Sequence, residues 1–261
     1  MSLSWRDRTS VFLGPDAVQV ARYGAGLRSA PSETQRVAFE SAGERWHNIL
    51  EALRSALAQL KRRRGEASVV ISNHYVRFAL VPDAGKLRNQ NERLVAARHT
   101  LQNVYGDAAA HWRVALDSAG GKGAAIAAGI DASLVDGIVA TLTAANLRAQ
   151  SVRPLFATAA NAARRTLGSG PAWFGVAEPG RLALAYVERG AWQSLRSHRL
   201  RNALNDELPI LLEQNRLTGH LNGNGAGGRV ILATSEATGV DRSNGPWSIE
   251  AVALELPSRA W

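Results

Sequence analysis

The stretch WFGVAEPGRLALAYVERGAWQSLRSH, residues 173–198, contains three runs of alternating apolar residues separated by two turns. The turns fall at Glu178-Pro-Gly180 and Glu188-Arg-Gly190, where proline and glycine favour reversal of the chain. A helical pattern follows from about Asn202 to Leu217. This part of the chain is therefore predicted to form three consecutive strands and then a helix.

The start of the chain predicts the same order of elements. Val11–Leu13 and Val18–Tyr23 flank a turn at Gly14-Pro-Asp16, and Arg36–Phe39 is a third strand candidate. From Glu44 to Arg64 the apolar residues recur with helical spacing. Although the two stretches share no sequence identity, the repeated order predicts two similar halves.

Between these stretches the pattern predicts further strands and helices. The predicted elements are a strand at 73–82, a helix at 89–105, a hairpin of 111–116 and 124–130, a helix capped by Asp131, a strand at 151–155 and a helix at 157–167. Gly168-Ser-Gly-Pro171 is the best candidate for a linker between the halves. Strands at 230–234 and 248–254 close the chain.

Composition excludes several classes of protein. The 261 residues include no cysteine, so disulfides, thiolate metal sites and cysteine nucleophiles are ruled out. Hydrophobic residues make up 46% and charged residues 20%, as in ordinary globular proteins. No apolar run reaches the roughly 18–20 residues of a membrane-spanning helix, and the N-terminus lacks the apolar core of a signal peptide. We expect a soluble, cytoplasmic protein.

The net charge of +9 raises the question of nucleic-acid binding. The basic residues are mostly arginines scattered along the chain, as coding bias in a GC-rich genome would also produce. Their one dense run, Lys61-Arg-Arg-Arg64, falls at the end of a predicted helix, where cations favour the helix dipole. A nuclease of the RNase-H type would need acidic residues on its first strand, and Ser10–Leu13 has none. We expect no nucleic-acid partner.

Other candidate motifs lack the context that their chemistry requires. Gly223-Asn-Gly-Ala-Gly-Gly228 follows a predicted helix and precedes a strand, the reverse of a dinucleotide-binding loop. Ala119-Gly-Gly-Lys-Gly123 is predicted to be a hairpin turn rather than a phosphate loop. The six histidines have no metal-ligand spacing, so we expect no metal site.

Several segments resemble a known family. Val70–Pro82 is similar to the strand pair ending in proline of the actin-like assembly proteins of type IV pili (PilM-type) and of the cytoplasmic part of type II secretion proteins (GspL-type). The next helix and strand of those proteins are similar to Glu92–Gly106 followed by Trp112-Arg-Val114. A later helix end and strand are similar to Ala145–Pro154, and the hairpin of their second lobe is similar to Glu178–Gly190.

The resemblance implies an α/β, actin-like fold made of two RNase-H-like lobes with mixed sheets flanked by helices. The first lobe would span 1–168, with a small subdomain inserted at about 75–118, and the second, shortened lobe would span 169–261. In active members the first hairpin of each lobe is a phosphate loop with an Asp-x-Gly pattern, whose carboxylate holds Mg²⁺ or the attacking water.

If the family's phosphate loops are matched to this sequence, the resemblance implies a degenerate nucleotide-binding site formed by Gly14, Asp16, Glu178 and Gly180. It implies no catalytic residue and no metal ligand. Asp16 is predicted to lie in the turn instead of on the strand, and Pro15 removes one backbone N–H donor from the loop that would bind phosphate. Glu178 and Pro179 are predicted to occupy the second turn, where a carboxylate without a metal would repel a triphosphate. The adenosine-side loop would be residues 232–239. We expect no cofactor, with ATP and Mg²⁺ as the alternative.

The leading hypothesis is a non-catalytic scaffold of a type IV pilus or type II secretion-like assembly platform, at the cytoplasmic face of a bacterial inner membrane. The resemblance implies that it binds the cytoplasmic tail of a single-span inner-membrane protein, in a groove of the first lobe, and reaches the membrane only through that partner. A secretion or pilus motor ATPase is a further candidate partner. The alternative is an active actin-like ATPase or sugar kinase that binds Mg-ATP between the lobes.

Overall fold

The computed structural model describes residues 7–24, 30–40, 46–61, 65–87, 89–117, 123–168, 170–218, 228–235, 239–241 and 243–254. The strands are β1 Arg8–Leu13, β2 Ala17–Tyr23, β3 Glu33–Ala38, β4 Gly65–Ile71, β5 Val76–Val81, β6 Trp112–Leu116, β7 Ala125–Asp131, β8 Leu147–Pro154, β9 Ala172–Glu178, β10 Arg181–Glu188, β11 Ala191–Arg199, β12 Gly228–Thr234, β13 Ser243–Asn244 and β14 Trp247–Ala253. The helices are α1 His47–Ala58, α2 Gln90–Tyr105, α3 Ala132–Ala144, α4 Leu155–Ala162, α5 Arg164–Leu167 and α6 Leu204–Thr218.

The chain forms two compact units that do not follow sequence order. Of the described residues, one unit contains those within 7–76 and 130–155, and the other contains those within 77–129 and 156–254. The boundaries predicted from sequence, 1–168 and 169–261 with an insert at 75–118, stay a prediction.

The first unit is built on a five-stranded sheet in the order β3-β2-β1-β4-β8. The first three strands are antiparallel neighbours, and β4 and β8 run parallel to β1. Helices α1 and α3 pack on each other, with α1 against β2 and β3 and α3 against β8. Side chains from the strands and both helices are fully buried between them, among them Val11, Leu13, Leu53, Leu57 and Ile138.

The main sheet of the second unit repeats this connectivity. Its order is β11-β10-β9-β12-β14-β13, with an antiparallel β9–β10–β11 meander and with β12 and β14 parallel to β9. Leu208 and Leu212 of α6 pack on one face, against Leu182, Leu184 and Leu232. The order of elements predicted twice from sequence is thus present twice, which confirms the α/β class with mixed sheets.

The two main sheets differ in how the fourth strand connects to the fifth. In the first unit the connection from β4 to β8 holds a third sheet, α2 and α3. In the second unit it is residues 235–246, whose described part contains β13 and no α-helix. A connection of this length has no room for a helix of several turns, so the second copy of the motif is shorter.

The third sheet, in the order β5-β7-β6, belongs mainly to the second unit and packs on α2. Ala97 and Leu101 of α2 are fully buried against it. Trp112 of β6 lies against Gly129 of β7, where a Cβ would be 2.5 Å from the indole ring. A glycine in β7 therefore makes room for this ring.

Several predicted elements need correction. The first helix is predicted to continue to Arg64, but α1 ends at Ala58, and the backbone N–H of Lys61 donates to the Glu33 carboxylate, at 3.2 Å. The predicted strand at 73–82 begins instead with a 3-10 turn, in which the Ser72 hydroxyl accepts from the N–H of His74 at 3.1 Å. The helix predicted at 157–167 is divided at Ala163 into α4 and α5, β8 begins at Leu147, and β13 was not predicted.

Other predictions are confirmed, and some fall outside the described residues. Helix α2 begins after Asn89, whose side chain accepts from the N–H of Glu92 at 2.9 Å, and Asp131 caps α3 through the N–H of Ser133. Several predicted segments lie partly outside the described residues: positions 62–64 of the basic run, 119–122 of the predicted hairpin turn, 223–227 of the glycine segment and 236–238 of the 232–239 loop.

Candidate functional site

The first hairpin, between β1 and β2, turns tightly at Gly14-Pro-Asp16. The N–H of Gly14 donates to the carbonyl of Ala17 at 2.9 Å. A Cβ on Gly14 would be 2.8 Å from that backbone oxygen, so only glycine fits this turn without a shift of the backbone. The structure thus explains Gly14 by the geometry of the turn.

The carboxylate of this hairpin does not lie at the end of the strand. Asp16 is exposed in the turn, and its carbonyl accepts from the N–H of Phe39 at 2.9 Å. An Asp-x-Gly pattern ending at Gly14 places Phe12 in the acidic position. Phe12 is buried, with 5% of its surface exposed, between the fully buried Val11 and Leu13. An apolar side chain cannot hold Mg²⁺, so the residues at the end of β1 do not fit a metal–phosphate group.

An aromatic side chain contacts the turn of the first hairpin. The Tyr75 hydroxyl donates to the carbonyl of Gly14 at 3.1 Å. Its ring meets Trp46 edge-on, with the ring centroids 5.7 Å apart. The hydrogen bond and the aromatic contact together fix Tyr75 on this turn.

The second hairpin, between β9 and β10, differs from the sequence prediction. Glu178 does not occupy the turn: it is the last residue of β9, is 7% exposed and lies directly opposite Arg181. The turn itself is Pro179-Gly180, and Gly180 has a φ of 71°, the conformation that favours glycine after proline. The prediction counted Glu178 as part of the turn because an acid next to proline and glycine is typical of turns.

The cross-strand partner of Glu178 is Arg181, which lies near other charged groups. Arg181 is half-buried, and its Nη1 donates to the Ser197 hydroxyl at 3.0 Å. Burial lowers the pKa of Arg181, and the charges of Arg77 and Arg199 lower it further, while Glu178 raises it. Arg199 lies opposite Arg181 on β11. The predicted turns alone would pair Arg181 with His198, and the pairing of Arg181 with Arg199 results from a bulge between Tyr186 and Val187 that shifts the register by one residue.

Tyr105 adds a polar aromatic group beside these arginines. Its hydroxyl donates to the carbonyl of Phe78 at 2.9 Å, and its ring lies 5.3 Å from that of Trp112. Burial raises the pKa of Tyr105, and the charges of Arg77 and Arg181 partly offset this rise. Tyr105 is therefore a neutral hydroxyl at physiological pH.

The four residues predicted to form the degenerate nucleotide-binding site lie in two separate hairpins. Gly14 and Asp16 belong to the first unit, and Glu178 and Gly180 belong to the second unit. Their nucleotide role stays a prediction. In the described part of the chain, no three His, Asp or Glu side chains are grouped so that they could hold a metal ion. None of the described helices is long and apolar enough to cross a membrane.

Comparison with known proteins shows the fold. No protein-family model and no curated protein matches the sequence. The PilM–PilN type IV pilus biogenesis complex contains a chain similar to this one, with a TM-score of 0.58 and 12% identity, covering 94% of this chain and 88% of that one. The cytoplasmic domain of EpsL, an inner-membrane component of the Vibrio cholerae type II secretion system, is similar with a TM-score of 0.56 and 11% identity, covering 96% and 91%.

A third similar structure identifies the type of fold. It is a Bacteroides thetaiotaomicron protein with an actin-like ATPase fold, with a TM-score of 0.57 and 13% identity, covering 88% of this chain and 82% of that one. The fold is actin-like. The resemblance drawn from short motifs therefore extends, at the level of fold, to a chain of the PilM–PilN complex and to the GspL-type protein EpsL.

Proposed function

We propose that the protein is a non-catalytic, actin-like scaffold of a type IV pilus or type II secretion-like assembly platform. The observation that carries this proposal is the buried Phe12 at the end of β1, where an actin-like phosphate loop would need a carboxylate. With an apolar residue there and Asp16 exposed in the turn, the first hairpin cannot supply the charge that Mg²⁺ requires.

The partner in this proposal is the cytoplasmic tail of a single-span inner-membrane protein. The proposal draws support from the likeness to a chain of the PilM–PilN complex and to the cytoplasmic domain of EpsL. The protein would act at the cytoplasmic face of the inner membrane and reach it through this tail. A motor ATPase of the same machine is proposed as a second partner.

An edge strand of the first unit offers a place for an extended tail. Among the described residues, β8 is paired only with β4, so its other side can accept main-chain hydrogen bonds from an added strand. Arg148 and Arg153 on β8 are exposed. These arginines would favour a tail that carries acidic residues.

The test is binding of the full chain to synthetic tails of single-span proteins encoded beside its gene. The proposal expects saturable binding of one tail and none of its scrambled sequence. Charge reversal on β8, Arg148→Glu with Arg153→Glu, should weaken binding about tenfold or more, whereas Arg164→Glu with Arg165→Glu on α5 should leave it unchanged. If both pairs of substitutions weaken binding equally, the edge of β8 is not the binding site. If none of the tails encoded beside the gene binds, the proposed partner is wrong.

One observation favours the alternative function, an active ATPase or kinase. Glu178 ends β9 two residues before Gly180, so the second hairpin keeps the spacing of an acidic residue and glycine. An intact nucleotide site would stabilise the protein with Mg-ATP by about 2.7 kcal/mol at 100 times the dissociation constant. Thermal unfolding with and without Mg-ATP separates the two functions, because the scaffold predicts no shift that requires Mg²⁺.

A further inference from the structure

Strand β8 contains one residue more than the stretch of β4 that it pairs with. The register of this parallel pair shifts after Ala67, which is aligned with Ala149. The next residue of β4, Ser68, is aligned with Ser151, so Gln150 is an extra residue and forms a β-bulge. The Ser68 hydroxyl donates to Oε1 of Gln150 at 2.9 Å, which ties the bulge to β4.

The bulge places two arginines of β8 on the same face of the sheet. Arg148 is aligned with Glu66 of β4, and Arg153 is aligned with Val70. Side chains alternate between the faces of a regular strand, so Glu66 and Val70, four residues apart, share a face. Arg148 and Arg153 are five residues apart and would point to opposite faces without the extra residue. With it they share a face, and β8 advances between them by only four residues of a regular strand.

This face is the one opposite α1 and α3. Leu13, which is buried under these helices, is aligned with Ile71 of β4. Val70, the residue before Ile71, points to the other side, and so does Arg153, which is aligned with it. Arg148 and Arg153 are both exposed. Two positive side chains therefore lie on one face of the sheet, along its β8 edge.

The neighbouring strands balance the charge of these arginines only in part. Glu66 is aligned with Arg148 on one side and with Arg8 of β1 on the other, so its one negative charge faces two positive ones. Arg153 is aligned with an apolar residue, Val70. Within the described part of the chain, neither Arg148 nor Arg153 forms an ion pair or a hydrogen bond through its side chain. Acidic side chains of a partner would therefore be favoured here.

The opposite face of β8 is apolar between the two arginines. Ala149 and Val152 are half-buried there and are aligned with the buried Ala67 and Val69 of β4. A strand added beside β8 would therefore meet positive charge on one face and apolar side chains on the other.

We propose that the edge of β8 binds an extended peptide segment in which two acidic residues are four positions apart, with apolar residues directly after the first and directly before the second. A regular strand advances four residues between Arg148 and Arg153, so both acids face a guanidinium group. The two apolar residues point to the other face, beside Ala149 and Val152. The pattern is the same in both chain directions, so it holds for parallel and antiparallel addition. This inference rests on the proposed tail binding and specifies the sequence of the tail.

Two blocked peptides of identical composition test the spacing, each titrated into the full chain and followed by NMR. In Thr-Glu-Val-Thr-Val-Glu-Thr the glutamates are four positions apart, and in Thr-Glu-Val-Thr-Val-Thr-Glu they are five positions apart. The second peptide would direct one glutamate to the apolar face. The first should bind about threefold more tightly or better, because the second loses an ion pair at the surface. Equal binding of the two peptides, or binding of neither at millimolar concentration, would overturn the proposal.

Charge reversal tests whether Arg153 contacts the peptide. Arg153→Glu should bind the first peptide more weakly than the parent does and should prefer a peptide with lysine in place of one of its glutamates; both replacements are tested. The matched control is Arg36→Glu, on the exposed Arg36 of β3. This arginine is at the opposite edge of the same sheet and in the same row of aligned residues, which is Arg36, Gln19, Phe12, Val70 and Arg153.

The control should keep the binding and the peptide preference of the parent. If Arg36→Glu weakens binding as much as Arg153→Glu does, the charge of the whole face is responsible and the site at the β8 edge is rejected. If a natural tail binds but the two peptides bind equally, the proposed function stands and the spacing is wrong. If the first peptide binds as expected but no tail encoded beside the gene does, the spacing stands and the proposed partner is wrong.

Discussion

Arg199 is a single exposed side chain whose effect on stability depends on the charge opposite it. Its cross-strand partner is Arg181, so the pair costs free energy in the absence of an anion. We expect Arg199→Gln to raise the Tm by roughly 1–3 °C in phosphate-free buffer of low ionic strength. Added salt should remove the difference, because salt screens the repulsion.

The control for this prediction is Arg196→Gln, on the same strand. Arg196 donates to the Thr218 hydroxyl at 2.9 Å, so its loss removes a contact instead of a repulsion. A Tm of Arg199→Gln below that of the parent at low ionic strength would contradict the like-charge account.

His198 makes stability depend on pH. Burial lowers the pKa of His198, and the charge of Arg196 lowers it further, while Asn215 lies 3.0 Å from its Nε2. Because the unfolded chain binds this proton more readily, the contribution of His198 is complete above the ordinary pKa of about 6.5. It is lost as the pH falls from that value toward the lowered pKa of the folded state.

The measurement is the Tm between about pH 8 and about pH 5. His198→Gln cannot titrate and should show a smaller fall in Tm on acidification than the parent. His99→Gln on α2, an exposed histidine beside Asn103, should keep the fall of the parent. An equally steep fall in His198→Gln would assign the pH dependence to other groups.

At the scale of elements, the packing of β6 against β7 depends on Gly129. A Cβ there would lie 2.5 Å from Cε3 of the Trp112 ring, and the ring itself is held against Tyr105. We expect Gly129→Ala to lower the free energy of unfolding by about 1–3 kcal/mol, because a rigid ring must move. Gly24→Ala, at a position where a Cβ meets nothing within 4 Å, should be close to neutral.

A double-mutant cycle sharpens this prediction. If the cost comes from the indole ring, Gly129→Ala should cost less in a Trp112→Leu background than in the parent. Equal costs in both backgrounds, measured by chemical denaturation, would rule out the ring as the cause.

The elements also show what local sequence patterns can and cannot predict. The boundaries of α2 and the cap of α3 were predictable, because Asn89 and Asp131 satisfy N–H groups within three residues of themselves. The end of α1 was not, and the chain just beyond it makes a contact that is distant in sequence, from the N–H of Lys61 to Glu33 on another element. Glu178 was misplaced for a related reason, since its strand position depends on pairing with Arg181.

At the scale of the whole molecule, one connectivity is built twice. In each main sheet, three antiparallel strands are followed by two that run parallel to the first. This order was predictable, because turns and periodicity repeat along the sequence. The grouping of residues 77–129 with 156–254 was not, because it involves contacts such as Phe78 with Phe156 between segments distant in sequence.

The most direct test of the scaffold proposal is the release of phosphate from Mg-ATP by the purified full chain. We expect a rate no higher than that of the buffer alone, unchanged in Asp16→Asn and in Glu178→Gln, because the first hairpin has Phe12 in place of an acid. Steady turnover of ATP that disappears when Asp16 or Glu178 is replaced would contradict the account.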